Sequence, residues 1–250
     1  MNQHSFHLLC YGWIGVALAS FALLLRVAAP YGRHHRRGWG PSINQRLGWV
    51  LMELPAVIAI AAFAWGGPLP WSKTTIAMLA LWQLHYLNRA LIFPLRIRSG
   101  GKRTPVAIIG SAIFFNVVNG FIQGRQLTYF GSPSDALLEP TFILGTALFL
   151  CGLAINLHAD AVLRQLRGPG ENNYAIPQGG LYRYVSCPNY LGELIEWSAW
   201  ALLSRSLAGL TFTIWTAANL VPRALSHHRW YREQFAGYPK QRRALIPGLL

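Results

Sequence analysis

Seven long, nearly uninterrupted apolar stretches leave this 250-residue chain few folds to choose from. They run roughly 8–28, 47–66, 74–95, 105–124, 138–160, 188–204 and 207–225. Each is close to the ~20 residues that carry a helix across the ~30 Å hydrocarbon core of a bilayer. Only 12% of the residues are charged, against about 25% in soluble domains, which argues against a soluble globule and against disorder. The expectation is an all-α membrane protein, a single domain over 1–250, with seven transmembrane helices. The opening residues lack the basic region of a cleaved leader, so the first stretch reads as a retained helix.

Orientation follows from the basic residues. Eighteen of the 22 Lys and Arg flank the first, third and fifth connections or the tail, and three (Lys73, Arg125, Arg205) flank the alternate ones. That alternation predicts an outer N-terminus and a cytoplasmic C-terminus. The formal charge of +14 thus belongs to membrane topology, and no nucleic-acid partner is expected. Three scattered cysteines, Cys10, Cys151 and Cys187, suit neither a disulfide framework nor a zinc site. Trp13, Trp39, Trp49, Trp71 and Trp230 fall near segment ends and read as interface anchors.

Polar residues at membrane depth carry the functional signal, because each is costly there. Glu53 lies about two turns from the inner end of the second stretch, ~10 Å deep, and Tyr86 in the third lies ~14 Å deep. Arg89 lies in the same third stretch as Tyr86. Asn156 and Asp160 share one face of the fifth stretch. Asn189, Glu193 and Glu196 share one face of the sixth, with Glu196 read as structural. Arg223, His227 and Tyr231 continue the seventh at i, i+4, i+8. All fall in the cytoplasmic half, so the expectation is one cavity facing the cytosol, with arginines at its mouth suited to a phosphorylated ligand. No Gly-x-Gly-x-x-Gly turn and no P-loop offers another phosphate grip. No metal cluster has suitable spacing. The cytoplasmic connection 161–187, with turn signals at Gly168-Pro-Gly170 and Gly179-Gly180, is long enough to be functional.

The run Asn156-Leu-His-Ala-Asp160, then Leu163-Arg-Gln-Leu-Arg167, Pro169-Gly170-Glu171 and Tyr174-x-Ile-Pro-Gln-Gly-Gly180, resembles the steroid 5α-reductase family. So do Pro188-Asn-Tyr-Leu-Gly-Glu193, the tail Arg223 to Tyr231, and Tyr238-Pro-Lys-x-Arg242 through Pro247. Glu53-Leu-Pro55 and His85-Tyr86-x-x-Arg89 extend the likeness over almost the whole chain. The resemblance implies a multi-pass enzyme, in a bacterial inner membrane or the endoplasmic reticulum. It would use NADPH to reduce the Δ4 double bond of 3-oxo steroids such as testosterone or progesterone. It implies Glu53 and Tyr86 as the pair that polarises the steroid carbonyl. NADPH contacts would fall on Asn156, Asp160, Arg167, Tyr174, Asn189, Glu193, Arg223, His227 and Tyr231, with Arg98 or Arg103 holding a phosphate. The partners expected are a steroid or sterol-like lipid and membrane lipids, with the protein a monomer. Met52 departs from the family, where a glutamine commonly precedes the glutamate. Ala175 and Ser226 stand in place of a basic residue and a histidine of mammalian members.

Rival readings remain at this stage. One is a different sterol or lipid enone reductase. Another is an S-adenosylmethionine-dependent methyltransferase of the prenyl-cysteine type, similar in the C-terminal third. A seven-helix receptor or transporter is the non-enzyme alternative. The chemistry of the residues fits reduction: hydride addition to an enone needs its carbonyl oxygen stabilised as charge develops, and a tyrosine with a protonated glutamate can do that.

Overall fold

The computed structural model describes residues 1–27, 38–97, 101–131, 135–166 and 174–250. Among these, seven helical rods follow one another. They are α1 (Gln3–Arg26), α2 (Gln45–Ala64), a rod made of α3 (Lys73–Leu87) and α4 (Phe93–Arg96), α5 (Val106–Arg125), α6 (Pro140–Gln165), α7 (Pro188–Ser204) and α8 (Leu207–Gln234). A π-helical turn, Asn88–Ile92, joins α3 to α4, and a second, Gln126–Phe130, extends α5. Pro94 brings no N–H to the first of these, and the turn before it is closed by an i→i+5 bond from Phe93 to Asn88. Four rods are long and apolar enough to cross a membrane by length and composition: Gln3–Arg26, Gln45–Ala64, Val106–Phe130 and Pro140–Gln165.

The helix starts follow local chemistry. Asn2, Asn44, Ser72 and Ser206 each cap a helix by accepting from a backbone N–H two or three residues on. Pro140 and Pro188 open α6 and α7, where a missing N–H costs nothing. The ends are less legible. α6 runs past 160 to Gln165 and α8 past 225 to Gln234, so the connection read as 161–187 begins later than expected. Apolarity marks the part of a helix that avoids water, not the point where its hydrogen bonding stops. The all-α expectation also missed a short antiparallel pair, β1 (Ser42–Asn44) with β2 (Arg103–Pro105), in which Ile43 faces Thr104.

The connections sort to two ends of the bundle. At one end β1 pairs with β2, Arg46 donates to the Ile97 carbonyl (3.1 and 3.2 Å), Lys102 Nζ donates to Tyr174 Oη (2.9 Å), and Val185 bridges to Arg243 in the tail. At the other, Lys73 N–H donates to Asp135 (2.7 Å), Leu69 N–H to the Thr128 carbonyl (3.0 Å), and Arg205 pairs with Glu139 (2.9 Å). Phe6 near the start of α1 stacks on Phe130 at that second end. The chain therefore reverses at every connection. Large apolar side chains such as Leu8, Leu18, Ile58, Phe114 and Leu144 face outward, while Asp160, Glu196, Asn116, Gln123 and Asn156 are buried, the inverse of a water-soluble bundle.

Glycines set the closest helix contacts. α6 packs along α7 and α2 along α5. A Cβ on Gly192 would lie 2.6 Å from the Gly152 carbonyl oxygen and 2.7 Å from the Asn156 nitrogen, and one on Gly152 would meet α7 as closely. Gly124 approaches the Ile60 carbonyl in the same way. Gly192→Ala is expected to destabilise the protein by roughly 1–3 kcal/mol through overpacking, measured as a lower Tm in detergent. An unchanged Tm would mean the two backbones do not touch.

Aromatic rings fill the middle. Trp82, Trp197, Trp200, Phe149 and Phe212 form the main core with Ile60 and Tyr86. Trp82 and Trp200 each satisfy their indole N–H, on the Ala56 carbonyl (3.0 Å) and Gln123 Oε1 (2.9 Å). Trp13, expected at an interface, is instead buried against Phe115 and Trp215. Hydropathy does not distinguish a lipid-facing ring from one that faces the bundle.

Candidate functional site

Four of the chain's eight acidic residues, Glu53, Asp160, Glu193 and Glu196, converge on one face of the α3–α4 rod. That rod presents His85 and Arg89, one turn apart. His85 Nδ1 and Glu196 Oε1 are 2.8 Å apart in a fully enclosed pair. Arg89 sits on the π turn and reaches Asp160 Oδ2 of α6 (3.1 Å) and Glu193 Oε1 of α7 (3.4 Å). Its guanidinium lies against Trp49 (4.8 Å to the ring centroid) and Phe93 (4.7 Å), two rings that meet edge to face 5.1 Å apart. Trp49 thus belongs to this cluster, not to an interface belt.

The amides complete the lattice. Asn156 Nδ2 donates to Glu193 Oε1 (3.0 Å) and to the Asn189 carbonyl (3.1 Å), and Asn189 Nδ2 donates to Asp160 Oδ1 (3.3 Å). The Gly152–Gly192 contact is what brings α6 and α7 close enough for these bonds. Asn156 Oδ1 is buried without a partner among the described residues. Glu53, on α2, has Arg89, Glu193 and His85 as electrostatic neighbours, and Asn116 of α5 binds the backbone next to it, its Nδ2 donating to the Met52 carbonyl (2.7 Å). Pro55 lies half a turn beyond it, inside α2, so the Leu51 carbonyl has no α-helical donor there.

Tyr86 stands where this ionic lattice meets the aromatic core. It is 5% exposed, with its ring against Trp82 (4.8 Å), His85 (5.0 Å) and Trp197 (5.6 Å). Its electrostatic neighbours include Glu53, Glu193, Glu196 and Arg89. Tyr86 thus touches both groups: Trp82 and Trp197 of the aromatic core, and His85, which pairs with Glu196.

A second group lies nearer the basic end. Tyr190 Oη is 3.1 Å from His227 Nε2, and Arg223 lies over the Tyr190 ring (5.6 Å). Lys102 covers the Tyr174 ring (4.6 Å), whose other neighbour is Trp230 (4.9 Å). Tyr231 stacks on Tyr238 at 5.3 Å. Ser186 Oγ meets His228 Nδ1 (2.6 Å), Tyr238 Oη (2.6 Å) and the Arg243 carbonyl (3.1 Å). A carbonyl only accepts, so the serine proton goes to Arg243 and the other two groups donate. His228 therefore carries its proton on Nδ1. Burial, with Arg232 and Arg243 nearby, holds this imidazole below its ordinary pKa, in keeping with a neutral ring.

Arg242 is the most unusual residue here. It is 3% exposed, Nη2 donates to Gln178 Oε1 (3.0 Å), and the guanidinium lies 5.2 Å from the Tyr238 ring centroid. Its Nε and Nη1 are buried with no partner among the described residues. A buried guanidinium with two idle donors is costly unless an anion is at hand.

Of the residues expected from sequence, Glu53, Tyr86, Asn156, Asp160, Asn189 and Glu193 come together, and Tyr174, Arg223, His227 and Tyr231 form the adjoining group. Arg103 is bound instead to Ser42, through Nε (3.0 Å) and through Nη2 to the backbone carbonyl, and Lys102 takes the place facing Tyr174. Arg98, Arg167, the turn 168–170 and Glu171 lie outside the described residues. Sequence reasoning named Arg89 and Glu196 among the polar residues facing the cavity without giving them a ligand role, and left out His85, Asn116, Lys102 and Arg242. Asn116 and Arg89 carried the same signal as Glu53, a polar group in an apolar stretch. Arg242 carried none, because an arginine in a basic tail reads as solvated.

Comparison with known proteins gives one answer along the whole chain. Residues 102–250 match the family model described as 3-oxo-5-alpha-steroid 4-dehydrogenase. The chain is 42% identical over 242 residues to 3-oxo-5-alpha-steroid 4-dehydrogenase 1 of Rattus norvegicus, covering 94% of this chain and 92% of that one. To the protein of that name from Homo sapiens it is 38% identical over 245 residues, 96% and 94% of the two chains. To Steroid 5-alpha-reductase DET2 of Gossypium hirsutum it is 36% identical over 252 residues, 98% of each.

Proposed function

This chain belongs to the 3-oxo-5-alpha-steroid 4-dehydrogenase family, and from that premise we propose that it reduces the Δ4 double bond of 3-oxo steroids, with NADPH as reductant. All seven rods cross the membrane in this reading, with the N-terminus outside and the basic end in the cytosol. The Lys/Arg alternation and the sorting of connections to two ends support that topology.

When bound, NADPH would supply the hydride for C5 of the steroid. The residues present suit such a ligand: Arg242 offers idle buried donors to a phosphate, and Asn156 Oδ1 offers an idle buried acceptor to an amide. The Arg89 lattice holds Asn156, Asn189, Asp160 and Glu193 rigid, so their polar atoms need no rearrangement when a ligand arrives. Tyr86 and a neutral Glu53 donate to the C3 carbonyl oxygen as negative charge builds on it. One proton, drawn from solution for each hydride transferred, adds at C4 and completes the reduced product. Trp82, Trp197 and Phe212 keep water from the reacting side.

The observation that carries the reading is the placement of Tyr86 where the aromatic core meets the buried His85–Glu196 pair, with Glu53 among its electrostatic neighbours. Membranes containing the protein, given testosterone and NADPH, are expected to form the 5α-reduced 3-oxo product, and to form none with S-adenosylmethionine alone. Absence of reduction across testosterone, progesterone and related 3-oxo-Δ4 steroids, in protein shown to be folded, would overturn it.

A further inference from the structure

Three buried hydrogen-bond donors stand idle where α1, α5 and α8 meet. They are Trp13 Nε1, Trp215 Nε1 and Asn119 Nδ2, none with a partner among the described residues. They belong to one cluster. The Trp13 and Trp215 rings are 4.9 Å apart, both pack on Phe115 (6.2 and 5.0 Å), and Asn119 follows Phe115 by one turn of α5. Asn119 is fully enclosed and Trp13 is 8% exposed. Loose packing does not explain the idle donors, because their polar neighbours are satisfied. Gln123, one turn beyond Asn119, donates to the Ala208 carbonyl (2.8 Å) and accepts the Trp200 indole N–H (2.9 Å). Thr211, one turn before Trp215, donates to the Leu207 carbonyl (2.7 Å). Gln123 Nε2 also reaches Asn119 Oδ1 (3.4 Å). Flipping the Asn119 amide would set two NH2 groups against each other, so its nitrogen stays free for something else. Buried indole N–H groups usually find a partner, and a buried donor left unmade is costly.

We infer that these donors form a subsite for an acceptor oxygen on or next to C17 of the steroid, the end opposite its 3-oxo group, and thereby select 17-oxygenated substrates. The inference rests on the reading of the chain as a 3-oxo steroid reductase. The rings between the two ends support it. From Tyr86, contacts run to Trp197 (5.6 Å), then Phe212 (4.4 Å), Phe115 (6.4 Å) and Trp215 (5.0 Å). An aromatic path thus has a hydrogen-bond donor at each end, the Tyr86 O–H at one and the idle cluster at the other. A 17-oxygenated 3-oxo steroid has the same pattern, four fused apolar rings with oxygen at both ends. Its distal carbonyl or hydroxyl oxygen brings two lone pairs to accept the idle N–H groups. Phe114, 63% exposed, meets Trp13 edge to face (5.9 Å). The subsite therefore lies one ring from the outer apolar surface, where a substrate dissolved in lipid arrives.

The test compares testosterone with androst-4-en-3-one, the same 3-oxo-Δ4 ring system without oxygen at C17, at saturating NADPH in membranes or detergent. The protein is expected to favour testosterone by about 10- to 100-fold in kcat/KM, mostly through KM, because the deoxy steroid leaves the donors unpaired. Trp215→Phe and Asn119→Leu keep most of the packing and remove the N–H. Combined, they are expected to bring that ratio to within about threefold of one. A ratio near one in the parent, the donors then holding a buried water, overturns the inference and leaves the proposed reaction intact. So does a ratio that the variants leave unchanged. Reduction of neither steroid by folded protein overturns the reaction and the inference with it. Should the combined variant fail to fold, Trp13→Phe with Trp215→Phe, which keeps the aromatic packing, takes its place in the same comparison.

Discussion

Tyr86→Phe lowers kcat by about 10²–10³-fold, the usual loss when one oxyanion donor is removed, and the protein stays folded. The ring is held by Trp82, His85 and Trp197, and phenylalanine keeps every one of those contacts. Only the O–H is lost. Glu53→Leu, which removes the second donor, is expected to cost a similar factor. Glu53→Gln should cost less, because its amide N–H still donates to the carbonyl oxygen. Because the donors act on charge that exists only in the transition state, kcat and kcat/KM should fall together, with little change in KM. Steady-state rates at saturating NADPH in detergent or membranes measure this. Turnover within a few fold of the parent for both Tyr86→Phe and Glu53→Leu would remove the pair from the chemistry.

The helices and most of this cluster were legible in the sequence for one physical reason: a bilayer makes buried polarity expensive, so each polar residue in an apolar stretch announces a partner. Glu53, Asn156, Asp160 and Glu193 were found that way, and α7 came out at its expected limits because Pro188 and the left-handed Arg205 bound it. What failed depends on contacts between distant segments. Glu196 pairs with His85, 111 residues away, a partner that no local pattern names. Lys102 and Arg103 are neighbours, and only the pairing of β2 with β1 decides that Arg103 binds Ser42 and Lys102 meets Tyr174. Arg242 is buried by the tail folding back beside Val185, which no local pattern signals. The rotation introduced by the Asn88–Ile92 turn was equally invisible, and it is the turn from which Arg89 reaches both α6 and α7.

Arg89 is therefore the residue whose loss should disrupt the structure most. Arg89→Met keeps much of the packing between Trp49 and Phe93 but leaves Asp160 and Glu193 without their cation. Both are mostly buried, at 6% and 12% side-chain exposure, so water cannot replace it. Breaking a buried pair from one side costs about 3–5 kcal/mol, and here one guanidinium serves two carboxylates. The pair Arg205–Glu139 is the internal control. It has a shorter separation, 2.9 Å, but its side chains are 54% and 43% exposed, and surface pairs are worth about 0–1 kcal/mol. Thermal unfolding in detergent should show a large fall for Arg89→Met and little for Arg205→Gln. Adding Asp160→Asn and Glu193→Gln to Arg89→Met should restore much of the lost stability, since no uncompensated charge then remains buried, without restoring activity. If Arg89→Met melts with Arg205→Gln, the lattice is not what joins the α3–α4 rod to α6 and α7, and the amides set upon it lose their rigid frame.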